Sequence, residues 1–171
     1  MTNVAQKPDW SIWYLAAAIA CIGAGQSTIF ILIPAEVRSL GFNEFEVGII
    51  FSISAIAWMI FSPFWGRLSD RFGRKWIFLI GIFGFSLSMI LFAAIISAAS
   101  YNLIPFVLIL PLLIITRLIN GLLGSAVRPA AGGRIADLTS PETRAAGFAR
   151  FDAGWQTVSY THLTLPTTPY V

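Results

Sequence analysis

Four long apolar runs constrain this chain more than any other feature. A helix that crosses a bilayer needs about 20 mostly apolar residues. Runs of that kind extend from about Ile12 to Ile33, from Val47 to Trp65, from Trp76 to Ala99, and from Leu103 to beyond Gly124. A further segment, "FARFDAGWQ", reads as the start of another helix that is cut short. The expected fold class is an all-α, multi-pass membrane protein with four transmembrane helices and the start of a fifth.

Composition agrees. Only 11% of the 171 residues are charged and 57% are hydrophobic, whereas soluble domains carry about 25% charged residues. So few charges cannot cover a water-facing surface. The net charge of +3 does not point to nucleic acid, because the cations sit between the apolar runs, where they set membrane orientation. The single cysteine, Cys21, excludes an internal disulfide framework. The "AIAC" before it resembles a lipoprotein processing site, but the apolar run continues through "IFILIP". It therefore reads as a retained span rather than a signal peptide. No metal-ligand spacing, nucleophile elbow or phosphate loop occurs, so the expectation is no enzyme, no metal and no cofactor.

Aromatic residues mark the span boundaries: Trp10, Trp13 and Tyr14 before the first, Trp65 and Trp76 around the second junction, Tyr101 before the fourth. Such rings favour the headgroup level. Orientation follows from Lys and Arg. Lys7, Arg67, Arg71, Arg74, Lys75, Arg128, Arg134, Arg144 and Arg150 fall on one side, Arg38 on the other, and Arg117 inside the fourth span. The positive-inside rule then places the N-terminus and the segment "GRLSDRFGRK" in the cytoplasm.

Small residues at helical spacing predict helix contacts. On the second span Gly48, Ser52, Ala55, Met59, Ser62 and Gly66 share one face; the first has Gly23, Gln26 and Ser27, the third Gly81, Gly84 and Ser88. In the fourth, Arg117, Gly121, Gly124 and Arg128 are expected on one face with Asn120 beside them. A mid-span arginine costs roughly 2.5–3.5 kcal/mol on insertion scales. Arg117 is therefore a candidate cavity residue, the alternative being an arginine that snorkels to an interface.

The turn "GRLSDRFGRK" packs four cations and Asp70 into ten residues. Topology needs only the cations. Gly66 is expected to allow close helix approach, and Gly73 a tight turn that a side chain would obstruct. Asp70 and Arg74 are spaced to pair along a helical turn. Farther on, "SPETR" predicts a short interfacial helix with Ser140 as cap, Pro141 first and Glu142 at its positive end.

These residues carry a resemblance. "GRLSDRFGRK" resembles the signature between the second and third helices of the major facilitator superfamily, G-x-x-x-D-R-x-G-R-K, with Gly66, Asp70, Arg71, Gly73, Arg74 and Lys75 in every defined place. "RLINGLLGSAVRPAAGGRIADLTSPETRAAGF" is similar to the family's fourth helix and following loop, leaning toward drug-efflux branches. The resemblance covers about residues 10–156. It implies part of a six-helix N-terminal half, in a family whose halves each hold two inverted three-helix repeats. It implies that Asp70 and Arg74, with Asp137 as acidic partner, belong to a cytoplasmic charge network that latches the outward-facing state. Arg117 matches a membrane arginine linked to proton coupling in exporters, with Gly121 and Gly124 as packing residues.

The implied function is alternating-access transport of small molecules, with drug–proton antiport favoured and sugar or metabolite uptake as the alternative within the family. Implied partners are the lipid bilayer, a small-molecule substrate, protons and a further C-terminal part of the chain, in a bacterial inner membrane. The substrate-binding residues are unknown. The glycine–proline signature of antiporters falls beyond Gln156, so export is not fixed. A small four-span assembly or regulatory subunit is the rival from another class, and a membrane-embedded enzyme a third.

The final segment, "VSYTHLTLPTTPYV", breaks the pattern. Rich in Thr and Pro, it holds the only histidine, His162. Residues 158–167 resemble one translated frame of a transposon-end sequencing adapter. The expected organisation is thus a partial transmembrane domain over 1–157 and a non-native tail over 158–171.

Overall fold

The computed structural model describes residues 10–163, with side chains described for 13–153, 155 and 156. Lys7, the Trp10 and His162 side chains, and the tail from 164 lie outside the described residues. The elements are α1 (Trp10–Ser39), α2 (Glu44–Phe72), α3 (Arg74–Ser100), α4 (Phe106–Ile119), a π-helical turn (Asn120–Gly124), α5 (Val127–Leu138) and α6 (Arg144–Leu163). No strand occurs among the described residues.

Four stretches are long and apolar enough to cross a membrane: Trp13–Ser39, Glu44–Phe72, Arg74–Ser100 and Phe106–Leu138, of 27, 29, 27 and 33 residues. At about 1.5 Å per residue each exceeds a hydrocarbon core of about 30 Å. Helix is the only open-chain conformation that satisfies every backbone group inside lipid. Large apolar side chains such as Met59, Phe64, Phe83, Ile90, Val107 and Ile115 point outward, as lipid-facing residues do. The chain is a multi-pass, all-α membrane protein.

Two compact units divide the chain. One comprises residues 31–134; the other joins the first part of α1 to residues from Ile135 onward. In the second unit Gly23 of α1 faces α6, where a Cβ would meet the Trp155 ring at 3.3 Å. Gly147 of α6 sits against Thr139, and Phe151 is buried.

The larger unit is joined by tight connections. Asn43 caps α2, its Oδ1 accepting from Glu46 N at 3.0 Å while Glu46 Oε2 accepts from Asn43 N at 2.8 Å. This reciprocal capping box satisfies two orphan helix-end donors. Arg38 pairs with Glu44 at 2.9 Å, and Phe42 stacks on Phe106 with centroids 4.8 Å apart. α3 closes through Asn102 at φ 55, with Leu103 N donating to Ala98 O at 2.9 Å, a left-handed C-terminal cap.

Packing in this unit runs through glycines. A Cβ on Gly81 would lie 2.7 Å from Val127 Cγ2, and one on Gly84 3.0 Å from Leu123 Cδ1. The expected small face of α3 is therefore a contact face, with Ser88 also buried. That of α2 is only partly so. Gly48, Ser52, Ala55 and Met59 are exposed, Ser62 and Gly66 are half-buried, and the buried face is Val47, Ile50, Ser54, Ala57, Trp65 and Ser69. The reason lies across the interface: Gly121 presses on Ala57 and on the Ser54 carbonyl, 2.9 Å from a built Cβ. The small residue that permits approach belongs to the partner helix, so α2 contributes Ser54 and Ala57 instead. Trp65, Ile77, Ala126 and Ala130 form a buried cluster below this contact.

Around "SPETR" the helix begins later than expected. Residues 141–143 form a turn and α6 starts at Arg144. Gly147 N donates to Thr143 O at 3.0 Å, which makes Thr143 the first helical acceptor. Ser140 instead braces the turn, its N donating to Thr143 Oγ1 at 3.1 Å. α6 continues to Leu163, into the segment expected to break the helix.

Candidate functional site

Two polar features interrupt the apolar spans. The first is in the membrane. α4 carries Arg117 into the interior of the larger unit, where the residue is 0% exposed. It therefore does not snorkel to an interface. Its guanidinium lies over the Phe92 ring, 5.0 Å from Cζ to centroid. Nη2 donates to Ser88 Oγ at 3.4 Å and approaches Met89 Sδ at 3.9 Å. Nε and Nη1 have no hydrogen-bond partner. A cation–π contact and two long contacts hold the charge.

Asn120, three residues on, is 1% exposed. Its Oδ1 accepts from Ser54 Oγ and from Trp58 Nε1, each at 3.3 Å, while Nδ2 has no partner. An indole nitrogen only donates, so Trp58 fixes which end of the amide carries oxygen.

The π-helical turn starts at this residue. Within it the Leu122 carbonyl accepts from Trp65 Nε1 at 2.6 Å and from Ser125 Oγ at 3.1 Å. Turns of this kind often mark functional sites in helices. The consequence for register is a correction. Arg117, Gly121 and Gly124 are buried as expected, but Arg128 is exposed. The extra residue in the turn, followed by the Ser125–Ala126 break, rotates Arg128 off the face that uniform α-helical spacing assigned to it. Asn120 and Gly121 lie where an unbroken helix also places them.

The second feature is the charged turn. α2 ends at Phe72 and α3 begins at Arg74, with Gly73 alone between them at φ 97. Nothing lies within 4 Å of a Cβ built there. Glycine is needed for its backbone conformation, which L side chains rarely adopt, and not because a side chain would be obstructed. Gly66 likewise is not under pressure, since a Cβ would meet only Pro129 at 3.7 Å. Asp70 and Arg74 form an ion pair across the break. Arg74 Nη1 also donates to Ser69 Oγ at 2.9 Å, and Ser69 is buried. Arg71 leans on the Phe72 ring, 5.7 Å from the centroid. Arg71 and Lys75 are exposed.

The Arg74 guanidinium lies on Gly133 of α5, where a Cβ would collide with Cζ and Nη1 and come within 2.7 Å of Nε. Gly133 was not among the expected site residues. Its signal was the Gly132–Gly133 pair inside a helix, which costs propensity without local benefit. Asp137 lies one turn beyond on α5, exposed. Trp58 and Trp65 were missed as well; each looked like an apolar or interfacial ring, yet each spends its N–H on the fourth span. Among the described residues no group of His, Cys, Asp or Glu could hold a metal ion.

Comparison with known proteins shows the family. The sequence profile described as Major Facilitator Superfamily matches residues 15–160. Quinolone resistance protein NorA of Staphylococcus aureus strain Mu50 is 30% identical over 142 residues, 83% of this chain and 34% of NorA. Multidrug resistance protein MdtG of Proteus mirabilis is 40% identical over 74 residues, 40% of this chain and 18% of MdtG. The chain thus spans about a third of the length of the NorA relative. With four membrane-length helices, the charged signature between the second and third, and a profile match over most of its length, the chain belongs to the Major Facilitator Superfamily.

Proposed function

We propose that this chain is the N-terminal part of a secondary transporter that exports drug-like small molecules in exchange for protons. The observation that carries the reading is Arg117, a fully buried arginine held by the Phe92 ring and by long contacts to Ser88 and Met89. A charge so held is expensive unless the protein uses it. The resistance proteins among its relatives support export over sugar or metabolite uptake, and the family's membership supports transport over a subunit or enzyme role.

In this reading the chain lies in a bacterial inner membrane with its N-terminus in the cytoplasm. The Lys and Arg of the charged turn hold that end on the cytoplasmic side. Gly66, Asp70, Arg71, Gly73, Arg74, Lys75 and Asp137 form the conformational latch. Its ion pairs are worth about 0–1 kcal/mol each when exposed, enough to bias two states without freezing either. The substrate binds to residues shared with a further part of the protein. Residues 158–171 are read as adapter-derived; codons for 158–167 that differ from the adapter would remove that part of the account.

The test uses the longer protein that contains this chain, reconstituted in liposomes. An acidic interior should drive a fluorescent quinolone inward as protons leave. Accumulation with an alkaline interior points to symport instead. No gradient-dependent movement of any solute defeats the transporter reading.

A further inference from the structure

The charged turn divides its cations into two sets. Arg74 is turned inward, held by Asp70, by the Ser69 hydroxyl and against the bare Cα of Gly133. Arg67, Arg71 and Lys75 are exposed. Asp70 is the one carboxylate in "GRLSDRFGRK", and Arg74 takes it. The outward set therefore presents three positive charges on one turn. Arg67 and Arg71, four apart on α2, are neighbours on its surface, and Lys75 follows in the first turn of α3.

The same turn exposes two rings. Phe72 is 61% and Trp76 65% exposed, and the Arg71 guanidinium lies over the Phe72 ring. Farther into the two helices the exposed side chains are apolar, Phe64 on α2 and Leu79, Ile80 and Phe83 on α3. An indole favours the headgroup level. Cations, then a ring, then an apolar face is the vertical order of a phospholipid: phosphate, glycerol, acyl chain.

We propose that this outward face docks an anionic phospholipid, with Arg67, Arg71 and Lys75 on its phosphate and Trp76 against its glycerol and upper acyl carbons. Charge decides the lipid class. Each cation near the surface favours an anionic lipid by about fivefold, whereas a zwitterionic headgroup brings an ammonium that the cations repel. The planar fork of arginine suits a phosphate. The rings and the apolar face below them have no use for a soluble phosphate ion, so they assign the site to lipid. Inward and outward residues alternate along the turn, Asp70 and Arg74 against Arg71 and Lys75. A lipid held by the outward set thus bears directly on the backbone that carries the Asp70–Arg74 pair. The inference goes beyond the transport reading, and its readout is lipid contact rather than solute movement.

Trp76 is the local probe, because a brominated acyl chain quenches an indole that it touches. The longer protein is placed in phosphatidylcholine vesicles with graded brominated phosphatidylglycerol or brominated phosphatidylethanolamine. The difference in emission between parent and Trp76→Phe isolates this residue. Phosphatidylglycerol should half-quench Trp76 at a fraction about tenfold lower than phosphatidylethanolamine does, and Lys75→Gln should raise that fraction about fivefold. Arg67→Gln, Arg71→Gln and Lys75→Gln together should abolish the preference, while unchanged quenching by phosphatidylethanolamine shows that the turn still sits at the bilayer. Arg144→Gln with Arg150→Gln, which removes exposed cations elsewhere, should leave the preference intact. Equal quenching by the two lipids overturns the proposal, as does a preference lost equally in the Arg144 and Arg150 variant, which would assign it to net charge. Release of the lipid by excess inorganic phosphate would make the site one for a soluble anion and overturn it also.

Discussion

The guanidinium of Arg74 rests on the bare Cα of Gly133, so the charged turn is docked on α5 through the absence of a side chain. Arg74 is also the partner of Asp70 and a donor to buried Ser69. One glycine thus controls where the central cation of the signature sits.

Gly133→Ala should displace Arg74 and break its pairing with Asp70. The atoms met are the far end of a flexible, part-exposed side chain, so the guanidinium moves aside and the stability cost is about 0–1 kcal/mol. The readout is therefore the Arg74 guanidinium signal by 15N NMR, which should shift in Gly133→Ala and stay in place in Gly66→Ala, where a Cβ meets only Pro129 at 3.7 Å. Equal effects at the two positions would remove the distinction.

Gly73→Ala meets no neighbour but must hold φ 97. Strain at such positions costs about 1–3 kcal/mol. Gly73→Asn should cost as much, because ψ 136 lies outside the left-handed α region that Asn tolerates. Denaturation curves for the two variants check this; a clearly cheaper Asn would contradict it.

Trp65→Phe keeps an aromatic ring in the cluster with Ile77, Ala126 and Ala130 but removes the N–H that holds the Leu122 carbonyl. A net loss near 1 kcal/mol should speed amide exchange across residues 120–126 about fivefold. Unchanged exchange there would mean that the π-helical turn does not depend on Trp65.

Glu142 titrates below its ordinary value of 4.5, chiefly through its hydrogen bond with Ser140 and secondly through its own backbone. A depressed carboxyl favours the folded turn above pH 4.5 and loses that contribution as pH falls through its lowered folded-state value. Ser140→Ala should move the Glu142 carboxyl back up toward 4.5, read by 13C NMR. A titration that does not move would assign the shift elsewhere.

The four spans, their breaks and the charged turn were legible because each rests on a run of apolar residues or a cluster of charge. The position of Arg117 was legible for the same reason. Faces were harder. Most of the small stripe of α2 is exposed, and Gly121, on another helix, supplies the close approach that the stripe seemed to offer. The displacement of Arg128 follows from a π-helical turn, and "NGLLG" contains nothing that demands one. Trp65 and Ser125 select it through a carbonyl 57 residues from the indole in one case and three in the other. Gly133 was hidden because its partner, Arg74, lies on another helix.

The buried cation is the centre of the account. In proteoliposomes of the longer protein, quinolone movement driven by a proton gradient should fall at least tenfold in Arg117→Gln, with membrane insertion intact. Asp70→Asn should slow the same movement without abolishing it. Parental gradient-driven rates in Arg117→Gln would contradict the account directly.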